Sequence, residues 1–189
     1  MEIRDPLGKH RCLASLEEAF ARLRGEGSVA IIPEVQSNLA FALPGARGIE
    51  EVAAFPGRII RVRDTIATIC RPAFGASRHI AGIILTVLRY DGECRAAMNI
   101  RFTEEIVQAC LGLGYDVDSF NRAEEPREMK EKEGSSLEWG TNYCLSRRPT
   151  IPDIIFDRGD VGKEPMVRVL GKTPSNVTDK VIKIIHCLK

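Results

Sequence analysis

The chain of 189 residues is long enough for one ordinary domain with its own hydrophobic core, and it is short for two domains. Hydrophobic residues make up 44% and charged residues 28%, which is typical of a soluble globular protein. Because 27 Lys and Arg stand against 26 Asp and Glu, the formal charge is only +1. This balance gives no general electrostatic support to a nucleic-acid or anionic-membrane partner, and we predict neither.

The six cysteines are spread singly along the chain, and none forms a C-x-x-C pair or stands at zinc-finger spacing from a histidine. We therefore predict free and mostly buried thiols. The N-terminal stretch MEIRDPLGKHRC has no apolar signal core, and no run approaches the ~20 apolar residues that span a bilayer. We expect a protein of the reducing cytoplasm.

The first part of the chain predicts one helix followed by short extended segments. Apolar residues recur at helical spacing from Leu13 to Leu23, and Gly25 and Gly27 end the pattern. The elements that we predict next are extended segments in SVAIIP and NLAFAL, a short helix in IEEVAAF, strands in GRIIRV and Ile66–Cys70, and a helix from about Arg78 to Tyr90.

The second part predicts further strands and helices in alternation. CRAAMNIRF indicates a strand running to Thr103, which is a good N-cap for the helix TEEIVQACLGLG. The remaining predictions are a strand in YDVDSF, a charged helix or loop in AEEPREMKEKEG, a helix in LEWGTNYCLSRR, strands in PDIIFD and PMVRVLG, and a terminal amphipathic helix in TPSNVTDKVIKIIHCL.

This order of elements predicts an α/β fold: a layered single domain with a mixed β-sheet flanked by helices, preceded by an N-terminal amphipathic helix. We assign residues 1–27 to the N-terminal helical extension and residues 28–189 to the main domain. In such folds, sites form where strands feed loops and helix N-termini.

The stretch PAFGASRHIAGIIL places two basic residues, Arg78 and His79, at the start of an apolar helix. Ser77 is a natural N-cap, and Gly75 lets a ligand or another backbone approach closely. Unpaired N–H groups and the positive end of the helix dipole make this start a candidate phosphate site. The alternative is a well-capped buried helix with two basic surface residues, and the pattern alone does not decide.

Arginines alternate with apolar residues in GRIIRVR. Arg61 and Arg63 share one face at the strand period, whereas Arg58 opens the strand beside Gly57 at an element's end. A solvated face paired with acids is the common fate of such arginines. Asn99 and Arg101 likewise share one face of the strand AMNIRF, which suggests the lining of a cavity.

The stretch FDRGDVGKEPMVRV gathers charged residues around Gly159 and Gly162 between two apolar strands. Its carboxylates and bases could bind Mg²⁺ and a diphosphate together, or form a charged hairpin tip held by its own ion pairs. The spacing of a P-loop is absent. The charged residues are Asp157, Arg158, Asp160, Lys163 and Glu164.

Five stretches together resemble the archaeal-type thiamine-phosphate synthase family called ThiN: IPEVQSNLAFALPGA, GRIIRV, PAFGASRHIAGIIL, RAAMNIRF and FDRGDVGKEPMVRVLG. The resemblance runs in consistent order from about Leu13 to the C-terminus. It implies an enzyme that joins hydroxymethylpyrimidine diphosphate to hydroxyethylthiazole phosphate and releases diphosphate. In relatives this domain follows a pyrimidine kinase domain or a helix-turn-helix. Here one helix precedes IPEV, and the initial Met with its short polar lead favours a stand-alone protein.

The resemblance also implies which residues act. Arg58 and His79 are carried over as the functionally essential pair, and the regulator branch of the family tends to lack both. It implies Mg²⁺ as counter-ion of the substrate diphosphate, two small phosphorylated substrates and a homodimer. The alternatives are a non-catalytic sensor that binds thiamine phosphates and an interaction domain that binds neither substrate. Further substrate or phosphate contacts are expected from Ser77, Arg78, Gly75, Asn38, Asn99, Arg101, Asp157, Asp160 and Lys163.

Overall fold

A seven-stranded mixed sheet forms the middle layer of the fold, and helices cover both of its faces. The computed structural model describes residues 6–26, 28–126 and 135–188. Its α-helices in these residues are α1 (Pro6–Glu26), α2 (Arg78–Val87), α3 (Glu104–Gly112), α4 (Ser135–Leu145) and α5 (Pro174–Cys187). Its strands are β1 (Leu39–Ala42), β2 (Val52–Ala54), β3 (Ile59–Val62), β4 (Thr65–Thr68), β5 (Ala73–Phe74), β6 (Ala96–Arg101), β7 (Val117–Ser119), β8 (Ile154–Asp157) and β9 (Met166–Gly171).

The strand order across the sheet is β5-β2-β1-β6-β9-β8-β7. Neighbours are antiparallel except β7 and β8, which are parallel, and β3 and β4 form a separate antiparallel hairpin. This topology confirms the predicted α/β layered domain with a mixed sheet flanked by helices.

Alternation of side chains along the strands divides the core into two layers. In β6, Met98 and Ile100 belong to the apolar cluster that contains α1, α3 and α5, whereas Ala97 belongs to the cluster of α2 and α4. Ala40 and Ala54 lie in the second cluster as well. These small side chains let α2 pack closely on the sheet.

The predicted N-terminal helix is confirmed, and α1 is part of the core. It begins at Pro6, earlier than the apolar pattern indicates, and it packs against α5 and β1. Leu16 and Leu23 are fully buried, and the Phe20 and Phe55 rings lie 5.3 Å apart between centroids. The sheet face beneath α1 therefore depends on this helix for its cover.

Two predicted elements are wrong. SVAIIP is not extended: Val29–Ile31 is a 3₁₀ turn, because the Ser28 hydroxyl accepts from the Ala30 N–H at 3.1 Å. IEEVAAF is not a helix: after the 3₁₀ turn Ile49–Glu51 it continues as β2, which pairs with both β1 and β5. A segment this short cannot nucleate a helix on propensity alone, so tertiary pairing decides its conformation.

Three smaller differences follow from local geometry. The predicted helix at Arg78 is confirmed, but it ends at Val87 rather than at Tyr90. Strand β3 ends at Val62, so Arg63 lies in the hairpin turn with φ 54° and does not share a strand face with Arg61. Of the predicted charged segment AEEPREMKEKEG, only residues 123–126 are described, and the first two of them belong to the 3₁₀ turn Arg122–Glu124.

All six cysteines are free thiols, as predicted. Four of them are buried, and burial raises their pKa to about 11 for Cys94 and to about 12 for Cys12, Cys110 and Cys144. These thiols stay protonated near neutral pH, so they serve as packing groups and not as nucleophiles. No helix within the described ranges combines the length and apolarity needed to cross a bilayer.

We expect Leu16→Ala to lower the free energy of unfolding by about 2–5 kcal/mol, because it leaves a cavity under α1. Urea unfolding followed by circular dichroism measures this change. Leu7→Ala is the matched control on the same helix, since Leu7 is 58% exposed, and its effect should stay within about 0.5 kcal/mol. Equal effects of the two substitutions would contradict a core role for α1.

Candidate functional site

Two groups of the polar residues singled out in the sequence lie near the two ends of β2. The Arg58 end comprises residues 34–38 before β1, the Gly57–Arg58 turn after β2, and Asn99 in β6. The Gly75 end comprises residues 75–79, from the end of β5 to the first turn of α2.

The two ends are separated by the length of β2. The Gly75 N–H donates to the carbonyl of Val52, at the start of β2, at 3.0 Å. The Arg58 N–H donates to the carbonyl of Phe55, just beyond the end of β2, at 3.1 Å. At about 3.3 Å per residue of strand, the two backbone positions are roughly 10 Å apart. Arg58 therefore follows the end of β2, whereas Gly75, four residues before His79, lies beside the start of β2.

Asn38 extends the β1–β2 ladder with its side chain. Its Nδ2 donates to the Phe55 carbonyl at 3.0 Å, and its Oδ1 accepts from the Phe55 N–H at 3.0 Å. Both polar atoms of this 3% exposed residue are thus bonded to backbone. A buried amide needs such partners, and the predicted substrate contact of Asn38 gains no support from this geometry.

Asn99 holds the loop before β1 in a similar way. Its Oδ1 accepts from the Asn38 N–H at 2.7 Å, and its Nδ2 donates to the Gln36 carbonyl at 3.0 Å. The polar face that the sequence predicts for β6 thus fixes a loop instead of lining an open cavity at Asn99. Arg101 is exposed at the end of the strand, where its predicted ligand contact stays a prediction.

Backbone strain is concentrated around Arg58. Ser37 and Ile59 form a short antiparallel bridge, with N–H···O distances of 3.2 and 2.8 Å. Gln36 and Arg58 stand on either side of this bridge, and both have a φ of 68°. Such conformations cost about 1–3 kcal/mol for residues other than glycine, and they cluster at functional sites. Arg58 is exposed, and its Nη1 donates to the Val35 carbonyl.

Asp157 lies at the centre of a buried triad of charges. Its Oδ2 accepts from Arg168 Nη2 at 2.6 Å, and its Oδ1 accepts from Arg122 Nε at 2.5 Å and from the Gly159 N–H at 2.8 Å. The aspartate side chain is fully buried, and those of Arg168 and Arg122 are 1% and 7% exposed. The predicted contact of Asp157 with substrate would require breaking these bonds, so the structure assigns it a structural role.

The pKa of Asp157 reflects two opposing effects. Burial alone raises the pKa of this carboxyl, but the charges and hydrogen bonds of Arg168 and Arg122 outweigh it, and the pKa is lowered from its ordinary value. A carboxyl with a lowered pKa in the folded state stabilises the fold above its unfolded pKa near 4, and this stabilisation is lost as pH falls further.

The other predicted loop residues also have partners. The Oδ1 of Asp160 accepts from the Val161 N–H at 2.8 Å, and two backbone hydrogen bonds join Asp160 to Lys163 across the turn. Lys163 Nζ lies 3.7 Å from Oε2 of Glu125, a carboxylate that is fully buried. The loop therefore resembles the hairpin tip that was the alternative, and direct ligand contacts of Asp160 and Lys163 stay predictions.

No cluster of three or more His, Cys, Asp or Glu side chains suited to a metal ion occurs in residues 6–26, 28–126 and 135–188. Protein-bound Mg²⁺ usually keeps several waters and uses one or two carboxylates together with substrate phosphates. The described residues thus do not form a metal cage of their own. The predicted Mg²⁺ stays an expectation that belongs to a substrate diphosphate.

The Gly75 end has the geometry of an open helix start. Ser77 occupies the N-cap position of α2 as predicted, but its side chain makes no capping hydrogen bond. Thr103 and Thr173, by contrast, each accept from the third amide of their helices at 3.2 Å. Arg78 and His79 are exposed on the first turn, which carries no acidic residue. The first-turn amides thus receive no capping bond from Ser77, and the two basic side chains beside them are exposed.

A cleft of about 450 Å³ lies at the other end of α2. Its lining includes Leu85 of that helix, Leu88 and Arg89 directly after the helix, and Arg47 from the loop after β1. None of the residues predicted to act lines this cleft, so it does not support the predicted site.

The sequence did not predict a role for Arg122, Arg168 or Glu125. A signal was present for Arg168, since it is the one charged residue in the apolar strand β9. A lone arginine in a buried strand requires an acidic partner, and Asp157 at the end of a neighbouring strand is that partner. Arg122 lies in a charged region where many residues have the same pattern, and the sequence offers no comparable signal.

Comparison with known proteins identifies the family. The family model of the thiamine-phosphate synthase ThiN matches residues 15–183. The chain therefore belongs to the thiamine-phosphate synthase ThiN family, as its resemblance in sequence implies. Both ends of β2, with Arg58 and His79, lie inside the matched region.

Two named relatives show how much of each protein is shared. The chain is 38% identical over 160 residues to the thiamine-phosphate synthase ThiN of Methanothermobacter thermautotrophicus, which covers 84% of each chain. It is 39% identical over 176 residues to the bifunctional thiamine biosynthesis protein ThiDN of Methanocaldococcus jannaschii. This second match covers 93% of the present chain but only 40% of that relative, so the chain spans less than half of the bifunctional protein.

Solved structures agree with the fold. The C-terminal domain of phosphomethylpyrimidine kinase superposes with a TM-score of 0.88 and 37% identity, covering 93% of this chain and 99% of that one. An aldolase II superfamily protein from Pseudomonas syringae superposes with a TM-score of 0.52 and 9% identity, covering 97% of this chain and 75% of that one. The second likeness concerns the fold alone.

We expect Asp157→Asn to lower the free energy of unfolding at pH 7 by about 3–5 kcal/mol, because two buried arginines lose their counter-charge. The fall in stability below pH 4 should also become shallower, since the group with the lowered pKa is gone. Urea titrations between pH 3 and pH 7, a range chosen to bracket the ordinary Asp pKa of about 4, measure both effects.

Asp116→Asn is the control, because Asp116 pairs with Arg148 while 44% exposed. Its effect should stay below about 1 kcal/mol. A loss for Asp157→Asn no larger than that of the control would refute the importance of the buried triad.

Proposed function

We propose that the protein is a transferase that condenses hydroxymethylpyrimidine diphosphate with hydroxyethylthiazole phosphate to give thiamine phosphate and diphosphate. Membership of the thiamine-phosphate synthase ThiN family over residues 15–183 supports this proposal. So does the relative that bears the synthase name, at 38% identity over 84% of both chains. The observation that carries the proposal is the start of α2, where exposed Arg78 and His79 lie beside amides that the Ser77 side chain does not cap.

The chemistry of this reaction requires charge stabilisation more than acid–base catalysis. The bond between the pyrimidine methylene and the diphosphate oxygen breaks, and its electron pair leaves with the diphosphate. The electron-rich aminopyrimidine stabilises the resulting cation, and the lone pair of the thiazole nitrogen then forms the new C–N bond. Groups that stabilise the departing negative charge therefore lower the barrier most.

In our proposal the start of α2 is one of the anion-binding positions. Its first-turn N–H groups are not capped by Ser77, and the positive end of the helix dipole adds to the charge of Arg78. His79 acts there as a hydrogen-bond donor or cation and not as a nucleophile. Gly75, with a φ of 72°, leaves room for a phosphate group beside the turn because it has no side chain.

Arg58 supplies the other anion-binding position in this proposal. Its backbone lies roughly 10 Å from that of Gly75 along β2, and its side chain is exposed. A reaction that joins two phosphorylated substrates needs cationic groups at two separate places. The separation of Arg58 from the helix start is consistent with this need, and we infer that the two positions serve different phosphate groups.

Mg²⁺ and a homodimer remain predictions within this proposal. The diphosphate would carry Mg²⁺ as its counter-ion, and the metal would neutralise part of the charge on the leaving group. The described residues form no metal cage of their own. Arginine, histidine and backbone N–H groups would then bind the remaining phosphate oxygens of the substrate.

Arg58→Ala and His79→Ala should each lower kcat for thiamine phosphate formation by ~10²–10³. Each removes a cationic group that holds a phosphate in the reacting geometry, and the one at the diphosphate also stabilises the developing negative charge. The assay follows product from the two purified substrates with Mg²⁺ present. Arg63→Ala and His186→Ala are matched controls. Arg63 is, like Arg58, an exposed arginine with a positive φ. His186 is, like His79, an exposed histidine, and its Nε2 lies 3.6 Å from Oε2 of Glu26. Both controls should keep activity within about twofold of wild type.

Full activity in Arg58→Ala and His79→Ala would sink the residue assignment but not the reaction. A wild-type protein that binds thiamine phosphate in calorimetry and yet shows no turnover would instead favour the non-catalytic sensor. If the protein binds neither substrate, the remaining alternative is an interaction domain.

A further inference from the structure

Glu164 makes a long-range clamp on the loop before β1. Its Oε1 accepts from the Glu34 N–H at 2.8 Å, and its Oε2 accepts from the Val35 N–H at 3.0 Å. The two segments are 130 positions apart in the sequence. Both carboxylate oxygens are thus engaged with backbone, which leaves Glu164 poorly suited to the ligand contact considered for its loop.

The clamped backbone is the one that orients Arg58. Val35, whose N–H is held by Glu164, offers its carbonyl to Nη1 of Arg58. The next residue, Gln36, has a φ of 68°, as Arg58 does. A strained conformation persists only where its surroundings over-determine it. Two charge-assisted hydrogen bonds from Glu164 provide such a restraint on one side of the loop.

Asn99 provides the restraint on the other side. Its Nδ2 donates to the Gln36 carbonyl, the residue directly after Val35. Glu164 therefore holds the loop at the two amides before Gln36, and Asn99 holds it at the Gln36 carbonyl. Of these two side chains, Glu164 acts on the residue that bonds to Arg58.

We propose that Glu164 is a positioning residue that orients the Arg58 guanidinium through the backbone of Val35. By bonding the Val35 N–H, Glu164 keeps the Val35 carbonyl within hydrogen-bond distance of Arg58. The guanidinium is thereby oriented before an anion binds. This inference rests on the proposed function of Arg58, although the clamp itself does not. Glu164 has no direct contact with substrate in this proposal.

Glu164→Gln in the full chain tests the proposal, because glutamine keeps one acceptor oxygen and presents an N–H₂ group to the second amide. Glu104→Gln is the matched control: Glu104 pairs with Arg158 of the same loop, and both side chains are more than half exposed. We expect Glu164→Gln to lower kcat by about 10–10²-fold with a smaller change in KM, since misplacement by a fraction of an ångström weakens transition-state contacts. The control should stay within about twofold of wild type.

The double variant Arg58→Ala/Glu164→Gln separates positioning from an independent role. If Glu164 acts through Arg58, the double variant should be no slower than Arg58→Ala within about twofold. Losses that multiply, or a Glu164→Gln variant with wild-type kcat, would overturn the proposal.

A second readout does not depend on turnover. Nuclear magnetic resonance should show faster hydrogen exchange at the Glu34 and Val35 amides in Glu164→Gln, together with a shifted Arg58 Nε–Hε resonance, and neither change in Glu104→Gln. An unmoved Arg58 resonance would refute positioning even if the enzyme is inactive. If both signals move as expected but the wild type forms no product, the proposed reaction fails while the positioning role stands.

Discussion

The buried charge of Asp157 constrains the relative positions of three elements of the fold. It joins the end of β8 to β9 through Arg168, and to the 3₁₀ turn after β7 through Arg122. Charges removed from water are tolerated only when they are fully paired, so the three elements must keep their relative positions. Asp157 also accepts from the N–H of Gly159. A side chain there would collide with the Lys163 carbonyl, so the hairpin that ends in Glu164 begins from a fixed base.

The requirement that buried polar groups have partners also explains the asparagine side chains at the Arg58 end. Where the sheet ladder stops, backbone N–H and C=O groups need partners, and side chains take the place of a strand. Asn38 bonds both polar groups of Phe55, and Asn99 bonds Asn38 and Gln36. Polar residues in apolar strands were candidates for ligand contact in the sequence. Their amides instead support the backbone that presents Arg58.

Local patterns predicted those parts of the fold that local physics determines. The helix α1, the N-cap Thr103 and the start of α2 at Arg78 are examples, because spacing and capping suffice to specify them. The strand β2 was mistaken for a helix because its pairing with β1 and β5, and not its own residue pattern, decides its conformation. The Glu164 clamp has no local signature, and within the Asp157 triad only Arg168 has one, as the charged residue of an apolar strand. Arg58 and His79 were predicted from family resemblance, and their roles stay predictions.

The distribution of charge at the candidate site follows from what the proposed reaction demands. If Arg58 and the start of α2 were adjacent, they would repel each other and would favour binding both phosphates at one place. In the proposed reaction, their separation along β2 would let each phosphorylated substrate be held by its own cationic group. The likeness to an aldolase II superfamily protein at 9% identity concerns the fold alone, and a fold by itself does not determine a chemistry. We therefore propose that the specificity of this chain comes from side chains on loops, and that the restraint which Glu164 and Asn99 place on the loop before β1 serves the proposed activity.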